Sequence, residues 1–77
     1  MTPLEALVTI LLNNLDQASR EAGYFEARLN QQHTRDLEEQ RDRLRLYSLH
    51  LIGLIRDLTL ENLSIEEVNR LGYAYPQ

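Results

Sequence analysis

Between the two oily stretches of this chain lies Asn30-Gln31-Gln32-His33-Thr34-Arg35-Asp36, a run with no apolar residue in it. Whether the chain reverses here decides the fold. On the N-terminal side, Leu4, Val8, Leu11, Leu15, Ala18, Ala22, Phe25 and Leu29 recur at alternating spacings of four and three. That is the heptad seam of a helix packed against another helix. On the C-terminal side the period resumes at Leu37 and continues through Leu44, Tyr47, Leu51, Leu54, Ile55 and Leu58. The polar run carries helix-start signals of its own: Asp36 and Glu39 stand at capping-box spacing, and Thr34 is an alternative N-cap.

Gly23 competes as a turn, since glycine commonly ends a helix. Packing separates the two. Reversal at Gly23 would lay residues 4–15 against residues 33–42, which are almost wholly polar, whereas reversal near Gln32 lays them against residues 50–61, which are equally oily. Burying apolar surface against apolar surface is the favourable arrangement. The pattern therefore predicts an all-α fold: an antiparallel helical hairpin over about residues 3–31 and 35–59. Because the polar run contains neither Gly nor Pro, one continuous helix paired with a second chain is the competing form.

The ends read more simply. Thr2 is an N-cap, Pro3 suits the first helical position and Glu5 puts negative charge in the first turn. Ser64 with Glu67 is a capping box, and Arg70-Leu71-Gly72 is a helix stop, so a short third helix is expected over about residues 65–71. Residues 72–77 form an extended tail. The whole of 1–77 reads as one helical domain without internal repeats.

Seventy-seven residues build only a marginal core, because a chain this short buries roughly 60% of the surface its unfolded form exposes. There is no cysteine to add a disulfide or a thiolate metal site. Hydrophobic residues at 43% and charged residues at 26% are ordinary globular values, and the apolar share is dominated by sixteen leucines. All eight cations are arginine, usage that a GC-rich bacterial or phage genome favours. The net charge of −4 argues against nucleic acid or an anionic membrane as partner. The N-terminus lacks the basic region of a secretory signal, and the most apolar stretch, residues 44–60, is broken by Arg45, Ser48, His50, Arg56 and Asp57. A cytoplasmic protein is the expectation.

Catalysis requires a base or nucleophile held beside a partner group in a sheltered pocket. The candidates are His33, in the polar turn, and His50, beside Arg56 on a polar strip; both read as exposed or structural. No helical metal spacing, phosphate loop or nucleophile elbow occurs, so neither catalytic activity nor a cofactor is expected. Residues 63–72 have the look of the first helix and turn of a helix-turn-helix, but only residues 73–77 remain to supply a recognition helix. The alternating charges of residues 35–45, with Arg35 and Glu39 four apart, read as a solvated helix face.

What distinguishes this sequence is surplus grease. Besides its main stripe, helix 2 carries a second, nearly opposite one, read as Leu37, Leu46, Leu49, Gly53 and Leu60, and helix 1 adds Ile10 and Leu12 beside its seam. A hairpin covers one stripe per helix. Burying a Leu or Ile fully stabilises by about 1.5–3 kcal/mol, so the bare stripe represents roughly 10 kcal/mol at most. That is large beside domain stabilities of about 5–15 kcal/mol. These seven residues are the expected interface, whether with a second copy, as a homodimer forming a helical bundle, or with another protein. In the alternative, helix 3 and the tail fold back over the second stripe. Tyr73 and Tyr75 either pack on the hairpin or anchor a partner. The functional expectation is a small non-catalytic adaptor, inhibitor or chaperone-like regulator; a structural oligomerisation module is the alternative.

Overall fold

A computed structural model describes residues 1–76; Gln77, the last residue of the expected tail, lies outside the described residues. Among the described residues there are three helices and no strand: α1 Pro3–Gln31, α2 Arg35–Thr59 and α3 Ile65–Leu71. The chain does reverse in the polar run, at Gln32, His33 and Thr34, and α1 and α2 pack as an antiparallel hairpin. At about 1.5 Å per residue, the 29 residues of α1 account for nearly the whole 44 Å length of a molecule 20 Å across.

The reversal is made by caps. Gln32 leaves helical geometry while its N–H still reaches the Arg28 carbonyl at 2.9 Å. Thr34 starts α2, its hydroxyl accepting the Leu37 N–H at 3.2 Å. The threonine cap therefore prevails over the Asp36–Glu39 spacing. Thr2 caps α1 in the same way, accepting from the Glu5 N–H at 3.1 Å. Ser64 and Glu67 form the expected reciprocal box at the start of α3.

Between α2 and α3 the chain closes a Schellman-type turn. The Glu61 N–H reaches the Leu58 carbonyl at 3.2 Å, and the Asn62 N–H reaches that of Asp57 at 2.8 Å. Glu61 takes the left-handed position that glycine normally fills, at φ 60°.

The core gathers Leu7 and Leu11 of α1, Leu51, Leu54 and Leu58 of α2, and Val68 of α3, with Leu11, Leu51 and Val68 wholly shielded. Val8, Leu15, Tyr47, Ile55, Leu63, Ile65 and Tyr73 pack around it. Two sequence assignments shift. Leu7, outside the seam as read, is buried, while Leu4 is exposed. Because α3 closes one end of the hairpin, the buried face of α1 turns toward it. Leu37 is buried too and does not belong to the outer stripe of α2. Seven residues make almost two full helical turns, so Leu37 shares a face with Leu44 and Leu51, turned inward near the reversal, where Leu29 is also buried.

A cross-helix ion pair holds the hairpin near its tip. Glu26 of α1 accepts from Arg41 at 3.2 Å and from Arg45 at 3.0 Å, and the Arg41 side chain is only 18% exposed. Among the described residues no buried side-chain polar atom lacks a partner.

Candidate functional site

Two grooves run between α1 and α2, on opposite faces of the hairpin. The tail fills one. Gly72 caps α3 at φ 84° and ψ 149°, a backbone state strained for any residue with a Cβ. Beyond it the chain turns back along the hairpin. His50 Nε2 lies 2.9 Å from the Gly72 carbonyl, and since a carbonyl only accepts, that nitrogen carries the proton. The Tyr73 carbonyl takes two donors, the Tyr47 hydroxyl at 2.6 Å and the Asn14 amide at 3.3 Å. The Tyr73 hydroxyl donates to Asn69, and the Tyr75 hydroxyl to the Glu21 carboxylate. The rings of Tyr47 and Tyr75 meet edge to face with centroids 5.4 Å apart. Pro76 closes a hollow of about 240 Å³ lined by Tyr24, Phe25, Gln40 and Leu44.

This contact affects ionisation. Burial holds the Tyr75 hydroxyl well above its ordinary pKa, and the carboxylate it donates to adds to the shift. Burial also raises Tyr47, opposed in part by Asn14. Tyr73 and Tyr75 thus have their polar ends engaged within the chain, the first with α3 and the second with α1. His33 stays in the solvated turn, 3.4 Å from Glu38.

The other groove is open. It encloses about 510 Å³ between Ser19, Ala22, Gly23 and Glu26 of α1 and Arg45, Ser48 and Leu49 of α2. Three of its α1 residues are small, and a Cβ built on Gly23 would meet nothing within 4 Å. Leu12 stands seven residues before Ser19, and Ile52 seven after Arg45, so heptad spacing continues both walls toward the base of the hairpin. Both are exposed, at 48% each. Within the polar lining, Glu26 is engaged by its two arginines and the Ser48 hydroxyl donates to the Leu44 carbonyl at 2.9 Å.

On the outer side of α2, Leu46, Leu49 and Leu60 are 68%, 65% and 63% exposed, with Gly53 among them and open space over its Cα. Spacings of three, four and seven make these residues one ridge. Leu49 belongs both to the ridge and to the groove wall. The structure thus brings Leu12 and Leu49 to one face and Leu46, Leu49, Gly53 and Leu60 to one ridge. Ile10 is exposed but lies two residues from Leu12, about 200° around the helix, and so faces elsewhere. Neither α3 nor the tail covers the ridge residues: they lie over the core and the opposite groove. Sequence reading missed Ile52, which falls between the two stripes on a helical wheel, and the small residues Ser19 and Ala22 as a groove floor. A search for small residues at three- and four-residue spacing would have found the floor.

Among the described residues no group of three or more His, Asp or Glu side chains is placed to hold a metal ion, and no helix is long and apolar enough to cross a membrane. Comparison of the chain with protein-family models, curated proteins and solved structures gives no match.

Proposed function

We propose that this chain is a small non-catalytic protein-binding adaptor, inhibitor or chaperone-like regulator that works through the open face of its hairpin. The observation that carries this reading is the pairing of an unfilled groove, floored by Ser19, Ala22 and Gly23, with the exposed apolar side chains Leu12, Leu49 and Ile52 along its walls. Monomeric proteins seldom leave a contiguous apolar face of this kind without use. A helix laid between α1 and α2 would bury it, with the small residues permitting close approach. A second copy supplying that helix would complete a four-helix bundle.

The test uses the wild-type chain and the double variant Leu49→Arg/Ile52→Arg side by side, as baits and in sedimentation velocity. Both substitutions fall on exposed positions, so circular dichroism is expected to be unchanged. The reading holds if self-association or a captured protein seen with wild type is lost in the variant. It fails if both proteins are monomers that retain the same set. A structural oligomerisation module is the second reading, favoured by the ridge of Leu46, Gly53 and Leu60, which gives the molecule another apolar surface on its outer side. Two such surfaces that do not close on each other would build open-ended assemblies, visible as mass that grows with concentration.

A further inference from the structure

We propose that the groove now filled by residues 72–76 is a recognition site for an extended Tyr-x-Tyr-Pro segment of a partner protein, with the chain's own tail as its tethered occupant. All the groups that hold the tail from the hairpin stand on the two long helices: Asn14, Glu21 and Phe25 on α1, and Leu44, Tyr47 and His50 on α2. Two further ties come from α3, whose Val68 carbonyl accepts the Gly72 N–H at 3.0 Å and whose Asn69 accepts the Tyr73 hydroxyl. The hairpin groups read the occupant in a particular way. Three donors, from His50, Tyr47 and Asn14, converge on two successive main-chain carbonyls, those of Gly72 and Tyr73.

Among the described residues, the hairpin's hydrogen bonds to the tail's main chain all go to carbonyls, so a proline, which has no N–H, fits without loss. Specificity comes from the side chains. One tyrosine lies edge-on to Tyr47 and donates to Glu21, and the proline caps a hollow walled by Tyr24 and Phe25. Carbonyl-directed donors beside an aromatic-walled hollow are the chemistry by which extended proline-bearing segments are bound elsewhere. This surface lies opposite the open groove of the proposed function, so the two sites could be engaged at once.

The tail competes from within the same chain, at an effective concentration on the order of millimolar. The test therefore loosens it without touching the groove. Gly72→Ala cannot keep φ 84° comfortably, and Tyr75→Ala removes the ring seated on Tyr47; both are made in the full-length chain. The probe is the synthetic peptide acetyl-Gly-Tyr-Ala-Tyr-Pro-Gln, titrated into isotope-labelled protein and followed by NMR, with the same peptide carrying Ala for both tyrosines as control. The expected result is saturable shifts at Asn14, Glu21, Phe25 and His50, with an apparent Kd roughly ten-fold lower for Gly72→Ala than for wild type. Adding Asn14→Ala should weaken that binding, and the control peptide should leave the spectrum unmoved. Absence of saturable shifts in helical, folded variants overturns the proposal, as do shifts confined to Gly23 and Leu49. Tail exchange between copies, seen as dimers of the loosened variants, also overturns it. Should neither variant keep wild-type helicity, millimolar peptide on the wild-type chain decides: displacement of the Tyr75 ring signals supports the site, and no displacement refutes it.

Discussion

At the residue scale, the molecule shows where single side chains work with or against the backbone. Glu61 occupies a left-handed position, which costs an L-residue with a Cβ roughly 1–2 kcal/mol. Glu61→Gly should therefore raise stability by about 1 kcal/mol, measured as a shift in urea midpoint at constant m. Gly23 and Gly53 present the reverse case. Each lies inside a helix with nothing within 4 Å of the site a Cβ would take. Gly23→Ala and Gly53→Ala should each stabilise by about 0.5–1 kcal/mol. Gly23→Ala should at the same time weaken any partner seated in the open groove, so a variant more stable yet poorer at binding would tie that glycine to docking.

The tyrosine hydroxyls give a pH dependence whose sign is fixed. Tyr47 and Tyr75 both have folded pKa values raised above 10, chiefly by burial. A raised folded value means the docked tail favours the protonated phenol. That stabilisation is complete below about pH 10, the ordinary tyrosine value, and is lost as pH rises through the folded values. Tail release should thus follow tyrosinate absorbance on alkaline titration, and Tyr75→Phe should lower the pH dependence of release.

At the scale of elements, α3 is too short to persist by propensity, since isolated helices under about 12 residues are marginal in water. It is held by the Ser64–Glu67 box and by Val68, which is wholly buried against the hairpin. Val68→Ala removes two methyl groups from a packed site and should cost about 2 kcal/mol. The loss should appear first as faster amide exchange in α3 and the tail, with α1 and α2 still protected. Much of this element was legible in the sequence, because capping boxes and terminal glycines are local signals. The covering of the tail groove was not, because contacts such as Asn14 with Tyr73 join residues 59 apart in the chain.

At the scale of the whole molecule, stability rests on one small core, and Leu51 stands at its centre. Leu51→Ala should cost about 2–5 kcal/mol, a large share of a small domain's stability, and should abolish cooperative thermal unfolding or lower its midpoint steeply. Leu49→Arg, two residues away on an exposed face, should change the unfolding free energy by less than about 0.5 kcal/mol. The contrast separates surface held for folding from surface left for association.

Sequence alone made the three helices legible and favoured reversal in the polar run, with one continuous helix left as the competing form. Alternating spacings of three and four marked most inward positions, Leu4 and Leu7 excepted, and the mismatch of an oily residue 4–15 segment with a polar residue 33–42 segment weighed against a turn at Gly23. The structure starts the helices at the Thr2, Thr34 and Ser64 caps, and it alone chose Thr34 over the Asp36–Glu39 spacing. Only the tertiary structure decided which groove of the hairpin the tail covers and which stays open. Periodicity reports the angle of a side chain about its own helix, but not which neighbour comes to lie over it. Leu37 is a different case: seven residues before Leu44, it belongs by its own period to the inward stripe and is buried there, whereas Leu46, Leu49 and Leu60 remain in solvent. The ridge and the open groove stay bare because α3 and the tail add their cover on one side of the hairpin only.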